Sequence, residues 1–185
     1  MTNNIEKTRK VDSVHLLLAI RRSKENEGQT HKDELCFREI IRDSEEETLQ
    51  KIKSRISNLP GTWRIYHTVN ARDTRKATKL LMHELLDHFE DQHYRVDSLY
   101  KKMLLQTACR KTKYFMLDID NKDMDLAFGL PFGSFIPKAI EIHESPNGWH
   151  VVVEPFNLSK FKPTKEVTVI KDGYYFVEKV EVVNK

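Results

Sequence analysis

The chain reads as an α/β (α+β) domain built on a mixed, largely antiparallel sheet with helices. Three observations predict it. Strands and helices come first and strands alone follow. Three helical apolar stripes lie in the first part of the chain. Two strong turn sequences, Ser145-Pro146-Asn147-Gly148 and Asp172-Gly173, divide the later strands. At 185 residues there is room for one domain, or one domain of two lobes, with a core large enough to fold alone.

The elements follow in order. SVHLLLAIR (13–21) predicts a buried strand, and LCFREIIR (35–42) its hairpin partner across the polar loop 22–34. Ser44 and Glu47 have capping-box spacing, and Leu49, Ile52, Ile56 and Leu59 share one face of the helix they open. Pro60-Gly61 stops it. WRIYHTV (63–69) predicts a strand. Asp73 then caps a helix over about 74–89, with Ala77, Leu80, Leu81, Leu85 and Phe89 on its apolar stripe. A third helix, about 97–109, carries Leu99, Met103 and Leu104. KYFMLDID predicts a strand, and 121–135 a loop. KAIEIHE (138–144) and WHVVVE (149–154) form a hairpin. EVTVIK (166–171) and YYFVEKVEVV (174–183) form a second across Asp172-Gly173.

Composition narrows the function classes. The chain is 39% hydrophobic and 32% charged, which suits a folded soluble protein. A net charge of +3 permits nucleic-acid or nucleotide binding without demanding it. Two isolated cysteines, Cys36 and Cys109, supply neither a zinc module nor a disulfide framework. The N-terminus has no apolar signal region, and no apolar run approaches the ~20 residues of a membrane span. A reducing cytoplasm, bacterial or phage-infected, is expected. HELLDH (83–88) is no zinc-protease motif, because histidines five apart sit about 140° apart on a helix. GLPFG (129–133) lacks the Lys-Ser/Thr of a P-loop.

Two stretches point to chemistry. In FMLDID, Asp118 and Asp120 end an apolar strand. Residues two apart share a strand face, so the carboxylates lie side by side, roughly 6–7 Å apart. Their repulsion is relieved by a divalent cation, which one or two carboxylates, waters and substrate phosphates commonly hold. The alternative is a pair of solvated acids opening a loop. In GWHVVVE, His150 shares a face with Val152 and Glu154. A histidine there is either a satisfied structural residue, a phosphate contact, a base or a metal ligand.

Together, the DxD at a strand end and the Gly148-Trp149-His150 strand resemble the archaeo-eukaryotic primase superfamily, whose first motif is DxD or DxE and whose second is a small residue two before a histidine. RIYHTVNARD is similar to small phage-type members. The resemblance covers roughly residues 60–175. It implies a primase-like catalytic core of two lobes, about 1–110 and 111–185. It also implies metal on Asp118 and Asp120, and His150 on the incoming nucleotide's phosphates. A third acid is needed. Asp172 in TVIKDG is the candidate, and Glu154 the substitute, although Asp172-Gly173 reads equally as a hairpin turn. Among the basic residues, Arg72 and Lys171 lie nearest the motifs as nucleotide contacts.

The expected activity is metal-dependent nucleotidyl transfer. It would use Mg²⁺ or Mn²⁺, nucleoside triphosphates and a single-stranded nucleic-acid template, with a replication protein as a further partner and no membrane. The alternatives are a non-catalytic nucleic-acid- or partner-binding protein that keeps the fold, and a metal-dependent phosphodiesterase. Asp172→Asn, which keeps a good turn residue, is expected to be neutral for stability.

Overall fold

β1 (Ser13–Arg21) is apolar on both faces, and the first sheet forms around it. It pairs antiparallel with β2 (Leu35–Ile41) and β3 (Gly61–Thr68), and briefly with β4 (Arg72–Asp73). β9 (Tyr174–Val182) closes the order β2-β1-β3-β9. Leu17 and Ala19 face α1 (Glu45–Ile56), meeting Ile52 and Ile56. Leu16 and Leu18 face α2 (Thr74–Asp87) and α3 (Val96–Leu104), meeting Ala77, Met103 and Leu104. Helices therefore cover both faces of this sheet. The caps form as the sequence predicts: the Ser44 hydroxyl accepts from Glu47 N at 3.1 Å, and the Asp73 carboxylate from Lys76 N at 3.0 Å. The third helix ends earlier than expected, and a 3-10 turn takes Thr107–Cys109.

The structure, a computed structural model, describes residues 12–26, 35–88, 90, 95–123, 137–162 and 164–183. Most of the polar loop 22–34 and of the loop 121–135, with GLPFG, falls outside them, as do Phe89 and His93. No helix among the described residues is long and apolar enough to cross a membrane.

A second antiparallel sheet has the order β6-β7-β5-β8, from β5 (Phe115–Ile119), β6 (Ala139–Glu144), β7 (Trp149–Val153) and β8 (Val167–Ile170). The α+β class holds. The expected terminal hairpin does not form. β8 pairs with β5, whereas β9 crosses to β3. Val177, Val180 and Val182 of β9 pack against the cluster under α1, which gives that strand its apolar partners in the first sheet. Asp172-Gly173 is therefore a crossover between sheets, and the division at about residue 110 is bridged by a returning strand.

The sheets join through Val69, Met116, Val152 and Tyr175. Beside this cluster, buried Asn70 acts like a strand residue toward Tyr114: its Oδ1 accepts from Tyr114 N at 2.7 Å and its Nδ2 donates to Tyr114 O at 3.1 Å. Val69 N also donates to Gly173 O at 3.1 Å, and Lys111 N to Ala71 O at 2.7 Å. The VNAR stretch is thus the joint of the molecule.

A column of rings crosses the same joint. His15 stacks on His67 at 4.8 Å, His67 on Tyr175 at 4.7 Å, and Tyr175 on His143 of the second sheet at 3.7 Å. Burial, and then neighbouring His15, lowers the His67 pKa to about 4. The unfolded chain takes up this proton near the ordinary histidine value of 6.5, the folded chain only near 4. Stability from this residue is therefore complete above the unfolded pKa and is lost as pH falls toward the folded one. Between pH 7 and 4.5 it should contribute a loss of about 2–3 kcal/mol. Urea midpoints at both pH values check this: His67→Phe, which keeps a ring in the column, should show a correspondingly smaller loss.

Candidate functional site

The apolar faces of β5 and β7 turn toward Val167 and away from the first sheet, through Leu117, Ile119, Val151 and Val153. Their other faces, carrying Asp118 and His150, look at the first sheet. Between the two sheets lies a cavity of about 550 Å³. Met116, Asp118, Asp120, His150 and Ile170 line one wall, Ile20, Arg22, Arg64, Tyr66, Tyr174 and Phe176 the other, and Asp172 and Gly173 lie where the chain crosses between them. Ser145, Pro146 and Asn147 of the β6–β7 turn form the rim.

Asp118 and His150 are register partners on β5 and β7, and His150 Nε2 lies 3.3 Å from Asp118 Oδ1. His150 Nδ1 accepts from the backbone N–H of Phe176 on β9 at 2.8 Å. That bond requires a lone pair on Nδ1, so in the neutral ring the proton sits on Nε2, facing Asp118 and the cavity. The ring thus caps an edge N–H of the first sheet and presents a donor to whatever lies beside Asp118. A donor suits a phosphate oxygen; it does not suit a metal ligand.

Gly148 explains the small residue ahead of this histidine. A Cβ there would lie 1.9 Å from Ile119 O and 2.7 Å from Asn121 N. Only glycine lets the start of β7 lie flush against the end of β5, which sets Asp118 opposite His150.

Asp172 lines the same cavity as Asp118 and Asp120, from the turn that follows β8 at the Met116–Ile170 end of the pairing, but its carboxylate is already engaged. Both its oxygens are taken by Arg72, Nη1 and Nη2 each at 2.9 Å, and Asn70 Nδ2 adds a contact at 3.3 Å. Arg72 is fully buried, with both Nη atoms on Asp172, and presents no exposed face to a nucleotide. Lys171 is exposed and does not line the cavity. Glu154 is exposed, ion-paired with Lys138 at 2.7 Å, and also outside the cavity. The acid that strand pairing does bring beside Asp120 is Glu166: its carbonyl accepts Asp120 N at 2.8 Å, and its carboxylate accepts the Asn121 amide at 3.2 Å.

Among the described residues no three His, Cys, Asp or Glu side chains converge tightly enough to hold a metal by themselves. The carboxylates of Asp118 and Asp120 are donors of the kind that would suit one Mg²⁺ or Mn²⁺ with oxygen ligands from outside the chain completing its shell. A second ion has no donor set of its own among the described residues. Sequence reasoning missed the opposite wall, Arg22, Tyr66, Tyr174 and Phe176, because those residues meet the carboxylates only once β9 has crossed between sheets. Burial holds the Tyr174 phenol above its usual range, so it is neutral near pH 7.

Compared with protein families, curated proteins and solved structures, the chain matches none.

Proposed function

We propose that the protein is a metal-dependent nucleotidyltransferase of the primase type, acting on a nucleoside triphosphate bound between the two sheets. The observation that supports this most is the pairing of Asp118 with His150 across β5 and β7, on the wall of a nucleotide-sized cavity that also takes in Asp120. A bound divalent cation supplies charge neutralisation for the triphosphate and acidifies the attacking 3′ hydroxyl. Asp118 and Asp120 hold and orient that cation. His150 donates from Nε2 to a triphosphate oxygen while Phe176 N–H fixes its ring. Tyr66, Tyr174 and Phe176 give the base an aromatic surface.

A second reading, a nucleotide- or nucleic-acid-binding protein without transfer chemistry, is favoured by one observation: of the three aspartates lining the cavity, Asp172 has both oxygens on Arg72, which leaves two to hold a metal. Incubation with labelled nucleoside triphosphates, Mn²⁺ and a single-stranded template separates the two. The first reading predicts incorporation that Asp118→Ala/Asp120→Ala abolishes, together with loss of calorimetric Mn²⁺ binding. His150→Ala should weaken nucleotide binding and spare Mn²⁺ binding. Absence of incorporation with nucleotide binding intact would favour the second. Degradation of the template without incorporation would instead indicate a phosphodiesterase.

A further inference from the structure

The cavity wall opposite Asp118 and Asp120 carries its own cations. β1 ends at Arg21, and Arg22 begins a 3-10 turn over Ser23–Glu25. Asn26 ties this turn to β3: its Oδ1 accepts from Thr62 N at 2.7 Å, and its Nδ2 donates to Thr62 O at 3.2 Å. The turn therefore holds a fixed place beside Arg64, and Glu25 forms a two-pronged ion pair with that guanidinium, Nε to Oε2 at 3.1 Å. Arg22, half-buried on the same wall, has no ion pair among the described residues. Two arginines face one carboxylate, so the wall carries a surplus positive charge without any metal. Beside it, Tyr66 and Phe176 meet edge to face at 6.1 Å.

A planar guanidinium binds phosphate through parallel hydrogen bonds, and adjacent aromatic faces suit a nucleobase. We propose that Arg22 and Arg64 form a phosphate-binding subsite on the first-sheet wall that works without metal, with Glu25 holding Arg64 in place until phosphate displaces it. The phosphate belongs either to the triphosphate or to the backbone of a single strand. The inference rests on the nucleotide reading of the cavity, but it does not require transfer chemistry.

The test measures binding in EDTA of two ligands: a fluorescein-labelled single-stranded oligothymidylate, by anisotropy, and metal-free ATP, by calorimetry. At least one should bind the wild type, more weakly as salt rises. Arg22→Ala should weaken that binding about tenfold, as loss of a charge-assisted contact does, and Arg64→Gln should do the same. Glu25→Gln should tighten it, because the competing carboxylate is gone. Asp118→Ala/Asp120→Ala should not weaken it. An effect on the oligonucleotide assigns the subsite to a strand backbone, and an effect on ATP assigns it to the triphosphate. The proposal is overturned if the wild type binds neither ligand without metal, if the Arg22→Ala/Arg64→Gln protein binds both as the wild type does, or if Glu25→Gln weakens binding. Failure of the transfer reading would look different: no incorporation with Mn²⁺, while metal-free binding and its response to Glu25→Gln persist.

Discussion

Gly148→Ala should lower the melting temperature by about 5–10 °C and remove most activity from the protein that still folds. The added methyl would lie 1.9 Å from the carbonyl oxygen of Ile119 and 2.7 Å from Asn121 N, both backbone atoms with no rotamer to change. Relief requires the start of β7 to move away from the end of β5. Overpacking of this kind costs about 2–3 kcal/mol, which in a chain of this size corresponds to that temperature shift. The same movement separates His150 from Asp118, since the two are register partners only two residues beyond the glycine. Gly173→Ala is the matched control. Its methyl would meet the Met116 methyl at 3.0 Å, the flexible end of a side chain, so its cost should stay below about 1 kcal/mol. Thermal unfolding of the two variants side by side checks the contrast. Equal melting temperatures for Gly148→Ala and the wild type would show that β5 and β7 are not held as tightly as described.

Asp172→Asn should destabilise the protein by about 3–5 kcal/mol, because it leaves a fully buried guanidinium without its counter-charge. The neutral outcome expected from turn chemistry alone does not apply, because Asp172 belongs to no hairpin and its carboxylate carries both Arg72 contacts. Arg72→Met in the same chain should restore part of the loss, since the apolar side chain needs no partner. Urea denaturation of the single and double variants measures this. A single variant as stable as the wild type would return Asp172 to the role of a free site carboxylate.

Much of the fold is legible locally. The Ser44 and Asp73 caps and the Ser145–Gly148 turn each rest on residues within a few positions of one another, the β1–β2 pairing on two apolar runs adjacent in the chain, and all appear where the sequence places them. The meeting of Asp118 and His150 is also legible, because an apolar strand carrying each of them leaves little choice but to pair in the sheet. What escapes is long-range. Asp172-Gly173 has hairpin chemistry, but β9 finds its apolar partners under α1, and no local signal competes with that. Arg72 looks like one of many surface cations in sequence. Its partner lies 100 residues away, so its burial appears only with the assembled joint. The wall formed by Arg22, Arg64, Tyr66 and Phe176 depends on the same crossover.

The most direct measurement is the anomalous scattering of Mn²⁺ in crystals soaked with the metal and a non-hydrolysable nucleoside triphosphate. A peak is expected about 2–2.5 Å from carboxylate oxygens of Asp118 and Asp120 and from a phosphate oxygen, with His150 Nε2 on the triphosphate and Asp172 still on Arg72. A nucleotide bound outside the cavity, or a Mn²⁺ peak touching neither Asp118 nor Asp120, would contradict it.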